Sequence, residues 1–149
     1  MYGNLTSVEI EHLLNQERVG HLGCCAHGQL YVVPITYAYD GACVYGYTRE
    51  GRKLSAMREN PAVCFEVERI NDLMNWQSVI AWGTFEELSG DDAAKAEVLI
   101  RDQTMPVTAG APIALLHGMG GWGTHDATWQ TPVRYRIHLT RKSGRFERL

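Results

Sequence analysis

No stretch of this 149-residue chain approaches the run of about 18 to 20 apolar residues that crosses a bilayer as a helix. Its first residues, Met1-Tyr2-Gly3-Asn4-Leu5-Thr6, hold neither the basic nor the apolar segment that directs secretion, so the expected compartment is the cytoplasm. Cysteine is scarce and poorly spaced for a metal. Cys24, Cys25, Cys43 and Cys64 form no C-x-x-C pair, and the neighbours Cys24 and Cys25 would point to opposite faces of a strand. They read more readily as small buried hydrophobes than as disulfides, zinc ligands or a redox pair. The familiar catalytic patterns are missing as well: no G-x-S-x-G, no H-E-x-x-H, no Walker loop and no G-x-G-x-x-G following a strand. His117 and His125 stand in a glycine-rich stretch without a third ligand at useful spacing, so no metal is expected. His21, His27 and His138 lie on or beside strands and read as surface or hydrogen-bonded histidines. There are no internal repeats and no low-complexity tract. With 45% hydrophobic and 21% charged residues, disordered, fibrous and coiled-coil classes are excluded.

What remains is a length that suits a single domain with its own core and a charge that is unevenly placed. The net charge is −3, yet the residues from Pro132 onward hold six bases (Arg134, Arg136, Arg141, Lys142, Arg145, Arg148) against the one acid Glu147. A basic end on an acidic body can meet an anion, a nucleic acid or the chain's own acids. A solvated end is the commoner outcome, and neither nucleic acid nor a membrane is expected as a partner.

Periodicity predicts mostly strands. Thr6-Ser7-Val8-Glu9 has capping-box spacing, and Ile10, Leu13 and Leu14 share a helical face, predicting a helix to about Gln16. Strands are expected at Val19 to Ala26, Leu30 to Tyr39 and Ala42 to Thr48, joined by His27-Gly28 and by the hairpin signal Asp40-Gly41. A loop and a two-turn helix follow, closed by Asn60-Pro61. Further strands are expected at Ala62 to Arg69, Trp76 to Leu88 with Gly83 as a bend or bulge, and Val133 to Leu139. A helix is expected from Asp91 to about Thr104. Residues Met105 to Thr131, rich in Gly, Pro and Thr, are too long for an ordinary connection and read as a lid, a partner-facing loop or a mobile segment, carrying Trp122 and Trp129. Six strands with few helices give a mainly β class, a small closed or nearly closed antiparallel barrel.

Two local features carry chemistry. Pro34 interrupts an otherwise good strand, Leu30 to Tyr37. Proline cannot donate to a ladder, so this strand is an edge, bulged or opened on one side. Its remaining N–H and C=O groups can meet a planar heterocycle, or it can be a plain edge. Thr48, Arg49, Arg52 and Lys53 then place a hydroxyl and three cations at the start of a short helix, which suits a phosphate or an exposed charged helix equally by pattern.

These residues resemble a known family. Gly20-His21-Leu22-Gly23, Tyr31 to Gly41, Tyr45-Gly46-Tyr47-Thr48, Gly51-Arg52-Lys53, Asn60-Pro61, Val63 to Val67, Trp76 to Val79 and Gly83-Thr84 are similar to the pyridoxamine 5'-phosphate oxidase-like FMN-binding split barrels, nearest their nitroimidazole-reductase branch. The resemblance covers about residues 5 to 100 and is loose after Met105. It implies a six-stranded antiparallel split barrel that forms a homodimer with FMN at the subunit interface. It implies that Val32, Val33, Pro34, Ile35, Thr36 and Tyr37 run along the isoalloxazine. Tyr47 and Thr48 would approach the ribityl-phosphate, Arg52 and Lys53 would hold the phosphate, and Gln77 and Ser78 would reach FMN from a later strand. In the oxidase proper an Arg-x-His substrate motif with a nearby tryptophan lies close to the C-terminus. Here the end reads Arg136-Ile137-His138 and Gly144-Arg145-Phe146, which does not reproduce it. Thr36 stands at about the place where some nitroimidazole reductases have a histidine near the flavin.

The leading expectation is therefore an FMN-dependent oxidoreductase of a small molecule, with the flavin N5 as redox centre. The alternatives are a non-catalytic flavin- or haem-binding module and a deazaflavin-dependent reductase.

Overall fold

Thr6 starts the first helix. Its Oγ1 accepts the Glu9 N–H at 3.3 Å while Glu9 Oε2 accepts the Thr6 N–H at 2.8 Å, so the expected capping box forms and α1 runs Ser7–Gln16. Ile10, Leu13 and Leu14 on its apolar face are buried in the main core. The computed structural model describes residues 1–104 and 132–149. The expected lid, with Trp122, Trp129, His117 and His125, lies outside the described residues.

The strands are β1 (Tyr2–Asn4), β2 (Val19–Ala26), β3 (Gln29–Thr36), β4 (Ala38–Tyr39), β5 (Cys43–Thr48), β6 (Ala62–Asp72), β7 (Asn75–Glu87) and β8 (Val133–Glu147). They form one antiparallel sheet in the order β3-β2-β6-β7-β8-β5-β4, with β1 added to β8. The outermost strands, β3 and β4, are consecutive in the chain and separated only by Tyr37. The sheet is thus closed by the backbone at the place where its hydrogen bonding stops. This is a mainly β split barrel, as expected.

The six expected strands are the six long ones, and the structure adds two short ones, β1 and β4. The single strand expected from Leu30 to Tyr39 breaks at Tyr37. Its N–H donates to the Arg18 carbonyl at 3.0 Å and its hydroxyl to the Leu14 carbonyl at 2.7 Å, so the chain leaves β2 there and turns toward β5. The last strand extends eight residues past the expected end at Leu139. Its register against β7 shifts between Trp82 and Gly83, because Trp82 faces Arg141 and Gly83 faces Leu139. The irregularity expected at Gly83 therefore puts its extra residue, Thr140, on β8. Gly83 itself is required by contact: a Cβ there would lie 2.3 Å from the His138 carbonyl oxygen.

Side chains alternate across the barrel wall. Leu22, Phe65, Val67, Val79 and Ile137 point inward and join Leu54 and Met57 of α2 (Arg52–Glu59) in the core. Each such fully buried aliphatic side chain contributes about 1.5–3 kcal/mol. A third helix, α3 (Gly90–Thr104), packs outside β5, where Ile100 buries Ala38 and Tyr47. No described helix is long and apolar enough to cross a membrane.

The basic end turns back on the acidic body. Arg134 pairs with Glu97 at 3.2 Å, Arg136 with Glu86 at 2.8 Å and Arg148 with Glu9 at 3.0 Å, and Lys142 pairs with Glu11. Among the described residues Arg141 and Arg145 meet no carboxylate, and Arg141 lies over the Trp82 ring at 4.0 Å.

Candidate functional site

Pro34 leaves β3 with one ladder only. The strand pairs with β2, Pro34 opposite His21 and Val32 opposite Gly23, and its other edge carries no strand among the described residues. Tyr31 and Val33 pack against the core while Leu30 and Val32 are 79% and 68% exposed. Ile35 and Thr36 are buried, and Thr36 Oγ1 has no hydrogen-bond partner among the described residues. A buried hydroxyl without a partner costs free energy, so its position at the end of an open strand marks a place that a ligand's polar edge can complete.

The other end of β3 faces cations. A groove of about 920 Å³ is lined by Gln29 and Tyr31 of β3 and by Gly51, Arg52 and Ser55 at the start of α2. That helix begins at Gly51, which has no side chain to cap it, and its first turn holds no acid. Its leading amide N–H groups and positive end are therefore available to an anion. Lys53 is half-buried, and burial pulls its ammonium below the usual lysine range, with the Cys24 thiol its nearest opposing influence. Among the described residues neither Arg52 nor Lys53 forms an ion pair. Cys24 is the register partner of Tyr31, which sets Lys53 beside the beginning of β3. Tyr31 and Thr36 are five residues apart on one strand, or about 17 Å.

The other expected site residues are placed differently. Thr48 is buried at the end of β5, where its hydroxyl donates to the Arg49 carbonyl at 3.1 Å and steadies the turn into α2. Tyr47 lies in the second core beneath α3, its hydroxyl 3.4 Å from the Glu97 carbonyl, and does not line the groove. Gln77 and Ser78 sit on β7, opposite Arg69 and Glu68 on one side and Phe146 and Arg145 on the other. Two strands stand between β7 and β3, so within one copy these residues are about 14 Å from the open strand. Ser78, Ile80 and Trp82 instead share an outward face, on which Ile80 is 39% exposed.

That face also holds His21, expected as a surface or hydrogen-bonded histidine, with a partner that the sequence does not name. His21 Nδ1 lies 3.3 Å from Glu66 Oε2, beside Pro34 on β3 and Ile80 on β7. Burial, with the Glu68 charge, raises the Glu66 carboxyl above its ordinary range. Strand alternation puts both residues outward, but only the pairing of β2 with β6 makes them neighbours.

The model of the family described as pyridoxamine 5'-phosphate oxidase matches residues 6–146, nearly the whole chain. The chain belongs to this family. Within the wider fold, an FAD-binding protein of Mesorhizobium loti is 32% identical, with a TM-score of 0.75 and 98% of each chain covered. A candidate 5-nitroimidazole antibiotic resistance protein of Bacteroides thetaiotaomicron has a TM-score of 0.70 at 15% identity, covering 98% of this chain and 87% of its own, and so shares the fold. "Uncharacterized protein RA0666" of Rhizobium meliloti is 37% identical over 70 residues. The match spans 47% of this chain and 46% of that protein, about half the length of each. Family membership accounts for the split-barrel class, whereas the use of the site rests on its own residues.

Proposed function

We propose that the protein is an FMN-binding oxidoreductase of a small molecule, similar in kind to nitroimidazole reductases, with the cofactor laid along β3. One observation carries the reading. The open strand has an unpartnered hydroxyl, Thr36, at one end; at the other, about 17 Å along the strand at Tyr31, it borders a groove lined by Arg52 at the uncapped start of α2, with half-buried Lys53 as the next cation in the chain. A planar ring with a polar edge and a phosphorylated tail matches that polarity and length. The similar Mesorhizobium loti protein, described as FAD-binding, supports a flavin.

Arg52, Lys53 and the first amides of α2 would hold the phosphate, each charged hydrogen bond contributing about 1.5–3 kcal/mol. The main chain of Pro34 to Tyr37 and the Thr36 hydroxyl would meet the ring's polar edge. When bound, FMN supplies hydride or electron transfer at N5, and the chain supplies orientation and exclusion of water. A homodimer completes the site in this proposal. The exposed Val32 and Ile80, with half-buried Trp82, would pack against a second copy, which would bring Gln77 and Ser78 of one copy to the β3 of the other. The free thiols of all four cysteines support a reducing compartment, the cytoplasm.

Replacing Arg52 and Lys53 together by alanine tests the phosphate assignment. Affinity for FMN should fall by about tenfold to a hundredfold or more while riboflavin affinity changes little. Equal loss for both ligands would overturn the assignment.

A further inference from the structure

A second cluster, on β5, β8 and β7, joins a thiol, an imidazole and a carboxylate. Cys43 on β5 is the direct register partner of His138 on β8, and β8 is the neighbour of β7, which carries Glu86. Cys43 Sγ lies 3.3 Å from His138 Nδ1, and His138 Nε2 lies 2.7 Å from Glu86 Oε2. The carboxylate is itself held: Arg136 Nε donates to Oε2 at 2.8 Å and Arg136 Nη2 to Oε1 at 3.2 Å. The Cys43 backbone is fixed by the turn before it, where its N–H donates to Asp40 Oδ1 at 2.7 Å. A nucleophile within reach of a base, and that base oriented by a third group, is the arrangement by which enzymes activate thiols.

The direction of the hydrogen bonds follows from the chemistry. Glu86, held ionised by Arg136, accepts the Nε2–H of His138, which leaves Nδ1 as an acceptor facing the thiol. Burial and the nearby Asp40 keep Cys43 a neutral thiol at rest, so its reactivity depends on handing the proton to His138. Cys43 is only 5% exposed, which disfavours a bulky reagent and leaves a small one as the candidate oxidant. Neither Cys25 nor Cys64, although more exposed, has a histidine against its sulfur among the described residues.

We propose that Cys43, His138 and Glu86 form a second reactive centre, in which Cys43 is oxidised to a sulfenic acid by small hydroperoxides. His138 takes the Sγ proton as the sulfur attacks one peroxide oxygen. The S–O bond forms and the O–O bond breaks. Sulfur loses two electrons, the peroxide is reduced, and the imidazolium proton goes to the departing hydroxide or alkoxide to give water or an alcohol. Glu86 is the positioning residue that selects the tautomer.

The test exposes the intact protein to dilute hydrogen peroxide, traps sulfenic acid with dimedone and reads each cysteine by peptide mass spectrometry. Cys43 should be labelled first, whereas N-ethylmaleimide should modify Cys25 and Cys64 before Cys43. Because this order is read on the unmodified sequence, it does not depend on any variant folding. His138→Gln should slow Cys43 oxidation by about tenfold or more. Nitrogen-15 shifts should show the Nε2–H tautomer of His138, lost in Glu86→Gln. Peroxide labelling of Cys25 or Cys64 ahead of Cys43, an unchanged Cys43 rate in His138→Gln, or the Nδ1–H tautomer in the unmodified protein would each overturn the proposal.

Discussion

Thr36 carries a cost that flavin binding would repay. Its hydroxyl is buried without a partner among the described residues, a penalty of about 1–3 kcal/mol. Thr36→Val keeps the shape and removes the unpaired group, so the cofactor-free chain should melt at the same temperature or higher, as read by differential scanning calorimetry. The same change should weaken FMN binding by about fivefold to tenfold, the worth of one hydrogen bond. A variant that binds FMN as well as the parent would remove Thr36 from the site. At this scale the sequence is partly legible. Pro34 announces an open strand because it lacks an N–H, and Arg52 and Lys53 announce a basic helix start because they stand in the first turn of α2. The His21–Glu66 contact is hidden, since each residue is an unremarkable outward strand position until the ladder between β2 and β6 is known. The half-burial of Lys53 is hidden for the same reason, as it depends on the packing of α2 against β2.

Among the elements, α1 shows how a local signal becomes stability. Hydrogen bonds from Thr6 and Arg148 hold the Glu9 carboxyl down at about 2, against an ordinary value of 4.5. A folded-state value below the unfolded one adds stability that is fully present above 4.5 and is lost as the pH falls toward 2. Glu9→Gln should therefore melt lower than the parent near neutrality, and the difference should shrink as the pH is lowered from about 6 to about 2. A difference independent of pH would show that the charge of Glu9 is not what stabilises the helix start. The capping box and the Asp40-Gly41 turn are legible because both are local. Asp40 Oδ1 accepts from the Ala42 and Cys43 N–H groups, and Gly41 has a φ of 95°, as that hairpin signal requires. The second half of β8 is not legible. After the Thr140 bulge its inward positions are filled by Lys142 and Gly144 before Phe146, so the apolar alternation that marks a strand is lost. The break between β3 and β4 is also concealed, because Tyr37 ends the strand through contacts with Arg18 and Leu14 rather than through any breaker residue.

The charge asymmetry of the sequence resolves at the scale of the whole molecule. Four of the six C-terminal bases pair with acids of the body, and Arg141 and Arg145 remain on the outward face beside Trp82 and Ser78. The mainly β class and the barrel are legible from strand count and turn signals. The strand order is not, because placing β5 beside β8 depends on contacts between residues nearly a hundred positions apart. If the outward face is where two copies meet, Ile80→Asp should convert a two-chain species to a one-chain species in sedimentation velocity and weaken FMN binding with it. A variant that keeps the parent's mass would place the interface elsewhere. The proposed function requires that the chain hold FMN. Titrating the purified protein into FMN and following flavin fluorescence should give saturable quenching at one FMN per chain, with a weaker response from riboflavin. Fluorescence that stays at the free-flavin level, with no flavin absorbance travelling with the protein through gel filtration, would contradict it.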